Sequence, residues 1–224
     1  MLSYAGYCLW DIKMINDGAF LENDLLQFKP SSFNDKKSLE ELLKINKDVV
    51  GWINIKDTNI DYPFVIGKDN LEYVNKDIYG EFSFSGTIFL DSHNNRDLSD
   101  SYNLLYGHNM ANGAMFGNLN KFSDGEYFNS HLYVELYSFY QSYTIDIFAS
   151  VILNGGDSRI FYPSNFEEKE MEDILNYIKE KSICYRDVGI TKKDKIIALS
   201  TCSDTKSSDM MVVFGRLNNK NNSQ

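Results

Sequence analysis

The segment 195–205, KIIALSTCSDT, reads as an apolar strand that runs into a cysteine and then turns polar. Its isoleucines and leucine suit a buried strand. Cys202 closes that strand, and Ser203, Asp204 and Thr205 follow it at once. A packing cysteine would sit more naturally among the isoleucines. A thiol at a partly exposed strand end, beside a basic partner, works as a thiolate nucleophile. Free cysteines are nevertheless commonly buried, so the residues alone leave both readings open.

Seven further runs of the same kind lie upstream and downstream: VVGWINI (49–55), IDYPFVI (60–66), GTIFLDS (86–92), YNLLYGHN (102–109), LYVELYS (132–138), YTIDIFASVIL (143–153) and MMVVFGRL (210–217). With 195–202 they make eight short strands separated by polar turns, the pattern of a closed barrel or a sandwich. The series opens after helical sequence. Residues 11–28 carry mixed three- and four-residue apolar spacings. SLEELLKIN (38–46) places Leu39, Leu42 and Leu43 on one face behind a Ser38 cap. A longer helix, predicted over 165–183, interrupts the strands. Asn165 is its expected cap, acids fill its first turns, and Met171, Ile174, Leu175 and Ile178 form a docking stripe.

The chain has 224 residues, enough for one domain with a substantial core. We divide it into an N-terminal helical segment (1–37), one folded domain (38–217) and a disordered tail (218–224). The net charge of -10 argues against nucleic acid or an anionic membrane surface as partner. No run of about 18 apolar residues is present, so the sequence shows no membrane span. The short apolar start MLSYAGYCLW reads either as an amphipathic end or as the remnant of an anchor. Cys8, Cys184 and Cys202 are too few and scattered for a disulfide framework, and no C-x-x-C pair exists.

A nucleophilic Cys202 needs an acid–base partner, and three histidines are available. His93 lies in a polar turn and His131 at a strand start. His108 follows an apolar strand and Gly107, which is a way to present an imidazole at a cleft rim. Spacing does not choose among them, because such partners meet in space. A metal site built on Cys202 and His108 has no tight ligand spacing behind it, so no metal or cofactor is expected.

LSTC at a strand end, YGHNM about ninety residues earlier and a closing VVFGRL together resemble the sortase family, most closely its class B. The likeness runs from Leu39 to Leu217 and includes DVVGWINIKDTNIDYPFV (48–65), SGTIFLDSHN (85–94) and GAMFGNLNKF (113–122). It implies a mostly β fold: an eight-stranded sortase-type barrel with N-terminal helices and a long helix between strands six and seven. It further implies a cysteine transpeptidase on the outer face of a Gram-positive membrane, tethered through an N-terminal anchor missing from this sequence. Cys202 would attack the carbonyl of a Thr in a sorting-signal peptide. His108 would protonate the leaving amine and later deprotonate a peptidoglycan or pilin amine.

One family residue is absent. The arginine expected at the start of the last strand is replaced by Met210. Arg216 shares strand parity with it but lies about 20 Å further on, at about 3.3 Å per residue. Lys206 is nearer in sequence, yet lysine is a point charge without the arginine fork. Ser200 and Thr201 alternate in facing, so one of them is expected to line the cleft. The alternative function is a degenerate sortase that binds sorting peptides without turnover, and the missing arginine is its support.

Overall fold

The computed structural model describes residues 23–202 and 208–219, with the backbone alone at positions 23, 24 and 202. Most of the expected N-terminal helical segment and of the expected tail lies outside these residues. After one helical turn, α1 (Asn23–Leu26), and helix α2 (Lys36–Ile45), the chain forms β1 (Val49–Asn54), β2 (Asp61–Ile66), β3 (Ile88–Leu90) and β4 (Tyr102–Tyr106). A 3₁₀ turn over Gly117–Ser123 and the short helix α3 (Gly125–Ser130) lead to β5 (Tyr133–Ser138) and β6 (Tyr143–Asn154). Helix α4 (Glu168–Lys181), β7 (Cys184–Tyr185), β8 (Ile196–Cys202) and β9 (Asp209–Asn219) complete the described chain.

The strands neighbour one another in the order β5-β1-β2-β3-β4-β8-β9-β6, and β6 returns to pair with β5, which closes an eight-stranded barrel. All eight expected strands are members of it. The two-residue β7 pairs only with β6, outside the ring, and is too short to leave a periodic signal in the sequence. Closure uses the length of β6. Its first four residues pair with β5, while the whole strand pairs with β9 across an irregularity between Ile147 and Ala149. Such irregularities bend a strand and let one strand serve two neighbours.

Apolar side chains pack on both faces of the barrel wall. The interior packs Ile53, Phe64, Leu105, Ile145, Ile197, Leu199 and Val213. Outside, α4 lays Met171, Ile174 and Ile178 on Leu104, Phe148, Ile196, Ala198 and Phe214, as the docking stripe predicted, with Leu175 partly buried at its edge. α2 sets Leu39 and Leu42 on Val49, Trp52 and Val65. Val49 and Trp52 share this face because the register shifts between Val49 and Gly51. Two caps differ from expectation. Asp35, not Ser38, caps α2, accepting from the Ser38 N–H at 3.2 Å. Glu167 caps α4 in a reciprocal box with Glu170, while Asn165 instead accepts from the Ser101 N–H. In both cases the cap sits beside the first residue with helical dihedrals, which composition does not reveal.

Candidate active site

The pairing of β4 with β8 sets the site. These strands are parallel and in register, with Tyr102 opposite Ile196 and Tyr106 opposite Ser200. The ladder continues one step as the Gly107 N–H donates to the Ser200 carbonyl at 3.1 Å. Position 108 lies two residues past the Tyr106–Ser200 pair on one strand, and position 202 lies two residues past it on the other. Parallel neighbours are about 4.8 Å apart, so both positions fall at the same end of adjacent strands. Gly107 permits this crowding: a Cβ there would stand 2.7 Å from the Phe116 ring.

His108 is half-buried and held from two directions. Its carbonyl accepts from the Phe116 N–H at 3.0 Å. Its Nε2 lies 2.7 Å from the carbonyl oxygen of Val74, in the segment between β2 and β3. A carbonyl only accepts, so Nε2 carries the proton and Nδ1 has the lone pair of the neutral ring. The other histidines are elsewhere. His93 sits with Nδ1 2.7 Å from Asp91 Oδ1 and its ring 4.9 Å from that of Tyr162. The Asp91 N–H bonds to the Leu104 carbonyl, which places His93 toward the opposite end of β4. His131 ends α3, stacked on Tyr127 at 3.9 Å, and β5 is separated from β4 by three strands. The β4–β8 register therefore brings His108, of the three, to the end of Cys202.

Ser200 and Thr201 are both buried, at 0% and 1% exposure, and their hydroxyls have no hydrogen-bond partner among the described residues. The expected alternation holds, but neither side opens to solvent. Ser200 follows Ile196 and Ala198 toward α4, and Thr201 follows Ile197 and Leu199 into the barrel. Lys206 lies outside the described residues. Met210 is the register partner of Cys202 across β8–β9 and of Leu153 across β9–β6. It is half-buried, with its side chain beside Gly155.

The chain contains four arginines, and each guanidinium is engaged by a carbonyl or carboxylate partner. Arg96 donates to the carbonyls of Lys47 and Val49. Arg159 is bidentate on Asp157 at 3.1 Å and lies over the Tyr177 ring. Arg186 donates to the carbonyls of Ile147 and Phe128. Arg216 is paired with Asp146 at 2.7 Å and stands opposite Ile196, six residues from Met210. Among the described residues no group of three His, Cys, Asp or Glu side chains gathers in metal-binding array.

No family profile matches the chain. In sequence it is 35% identical over 185 residues to sortase B of Listeria monocytogenes, covering 81% of this chain and 74% of that protein. In structure it is similar to a mutant form of Clostridium perfringens sortase B, with a TM-score of 0.81 and 35% identity over 88% of this chain and 96% of that one. It is also similar to a Staphylococcus aureus sortase B–substrate complex, with a TM-score of 0.77 and 31% identity over 83% of this chain and 86% of that one. The chain belongs to the sortase family, within class B. It is a sortase transpeptidase carried on the eight-stranded barrel of that class. The segment from Gly67 to Ser85, which supplies the partner of His108, gave no chemical signal in the sequence. A backbone carbonyl has no residue type; the one local cue is Gly86 at the entry to β3.

Proposed function

We propose that Cys202 and His108 carry out transpeptidation on a sorting-signal peptide. The Cys202 thiolate attacks the carbonyl carbon of a Thr in the signal. The peptide bond breaks as the His108 imidazolium gives a proton to the departing amine, leaving an acyl thioester on Cys202. An incoming amine attacks the thioester and loses its proton to His108. The new amide departs and the thiolate returns. With Nε2–H committed to the Val74 carbonyl, both proton transfers run through Nδ1. The observation that carries this reading is the in-register parallel pairing of β4 and β8.

The Staphylococcus aureus relative has been solved with a substrate, and a sortase B has been solved in complex with triglycine. These two complexes support a peptide donor and an amine acceptor here. The acceptor class is a peptidoglycan or pilin amine, and the location is the outer face of a Gram-positive membrane. Backbone N–H groups near Cys202 and the Lys206 ammonium supply the oxyanion and substrate contacts in place of the missing arginine. A second reading, a sortase that holds sorting peptides without turnover, is favoured by Met210 and by the engagement of all four arginines with carbonyl or carboxylate partners.

A peptide library screened by mass spectrometry tests the two. Wild type is expected to yield an acyl adduct on Cys202 and a ligated product. Cys202→Ala should lose both, and His108→Ala should lose turnover. Tight peptide binding with no adduct on Cys202 supports the degenerate reading and overturns the first.

A further inference from the structure

We propose that Tyr73 and Gly86 are positioning residues for His108, holding the Val74 carbonyl where it sets the direction and tautomer of the imidazole. This inference rests on the reading of His108 as the acid–base group. In the turn at residues 73–76, three carbonyls bond to the strap of residues 83–87. The Tyr73 carbonyl accepts from the Thr87 N–H at 3.1 Å, that of Asn75 from the Ser83 N–H at 3.1 Å, and that of Lys76 from the Thr87 hydroxyl at 2.8 Å. The Val74 carbonyl, beside Gly86 of that strap, receives His108 Nε2 at 2.7 Å. Its placement is thus inherited from the strap of residues 83–87 on one side and from the anchoring of Tyr73 on the other.

Gly86 makes the strap possible. It has φ +57°, and a Cβ there would lie 2.3 Å from the Val74 oxygen and 2.6 Å from the Tyr73 oxygen. Both are backbone atoms, so any side chain at 86 must displace the turn. A non-glycine residue would also strain that φ. Tyr73 is the opposing anchor, 2% exposed. Its hydroxyl donates to Asp48 Oδ2 at 2.9 Å and accepts from Asn46 Nδ2 at 2.9 Å, at the junction of α2 and β1. Burial, with the Asp48 carboxylate adding to it, pushes this phenol up to about 12, so it stays a donor at any working pH. The catalytic imidazole is thereby referenced to the barrel wall through a carbonyl that contributes no side-chain chemistry. A neutral acceptor on Nε2 leaves Nδ1 as the one nitrogen for proton transfer.

The test uses the whole chain labelled with ¹⁵N-histidine, in wild type, Gly86→Ala and Tyr73→Phe, with His93 and His131 as internal references. Two-bond ¹H–¹⁵N correlations read the tautomer, and transpeptidation of the library-selected peptide gives kcat and KM. We expect wild-type His108 protonated at Nε2 when neutral. In both variants it should become a tautomer mixture, with kcat down about tenfold, part of what acid–base catalysis supplies, and KM within about twofold. The references should not move. If Gly86→Ala fails to fold, Tyr73→Phe, which removes one oxygen, decides the matter. Unchanged His108 shifts, or changed shifts with unchanged kcat, overturn the positioning role. Retained turnover in His108→Ala overturns instead the acid–base reading beneath it, so the two failures are distinct.

Discussion

Met210→Arg places a guanidinium where the resemblance to class B implies one, and the β8–β9 register gives its reach. Met210 pairs with Cys202 across β8–β9, and directly paired positions on antiparallel strands have Cβ atoms about 5 Å apart on one face. The methionine stem already runs half-buried beside Gly155, whose added Cβ would be 3.3 Å from Met210 Cγ. The aliphatic part of an arginine can follow the same course. A well-placed oxyanion donor contributes about 3 kcal/mol, or about 150-fold in rate. A guanidinium installed without supporting hydrogen bonds should realise about half of that, so kcat/KM is expected to rise about tenfold. The assay is fluorogenic cleavage of the selected peptide together with the rate of Cys202 acylation. Met210→Lys serves as the control and should gain less, because an ammonium lacks the two-pronged geometry. No gain in Met210→Arg at wild-type Tm would refute the claim that the missing arginine limits this enzyme. Equal gains in both variants would show that charge alone is enough.

Three further outcomes follow from the fold. Asp35→Ala should cost about 1 kcal/mol at neutral pH through the lost cap of α2. The backbone N–H of Ser31, ahead of the bonds from Ser38, holds the Asp35 carboxyl at about 2. A depressed carboxyl stabilises the fold above its unfolded value of about 4. The gap between wild type and Asp35→Ala in denaturant titrations should therefore close as pH falls from about 4 to about 2. Met171→Ala, at a site with 0% exposure under α4, should lose about 2–5 kcal/mol by cavity formation, read as a lower Tm and urea midpoint. Arg216→Ala breaks the cross-strand pair with Asp146, whose side chains are 22% and 18% exposed. It should lower stability by about 1 kcal/mol and leave peptide cleavage unchanged, because that guanidinium is bound six residues from Met210.

The strands were legible because each is a short run of β-branched and aromatic residues closed by turn residues, and all eight entered the barrel. The α4 stripe was legible for a similar reason, since Met171, Ile174 and Ile178 recur at helical spacing. Caps were read less well. Asp35 and Glu167 displaced Ser38 and Asn165 because capping depends on which residue first takes helical dihedrals, and several neighbours carry a suitable oxygen. The facing argument for Ser200 and Thr201 had the right alternation, and both side chains are buried. With α4 outside and the core inside, β8 has no wet face along its described side chains.

The sequence by itself determined the elements, the apolar faces and the residue types at the site: a cysteine closing one strand, a glycine–histidine closing another, and a methionine where an arginine is expected. Those are properties of local periodicity and composition, and they survive without knowledge of neighbours. Only the tertiary structure decided that β4 lies parallel to β8, so that 108 and 202 share an end, while His93 lies toward the other end of β4 and His131 precedes a strand separated from β4 by three others. Only it showed that Val74 supplies the carbonyl beneath the imidazole and that all four arginines are engaged by carbonyl or carboxylate partners. Strand neighbours some ninety residues apart are selected by closure of the whole barrel, which no local stretch of sequence encodes.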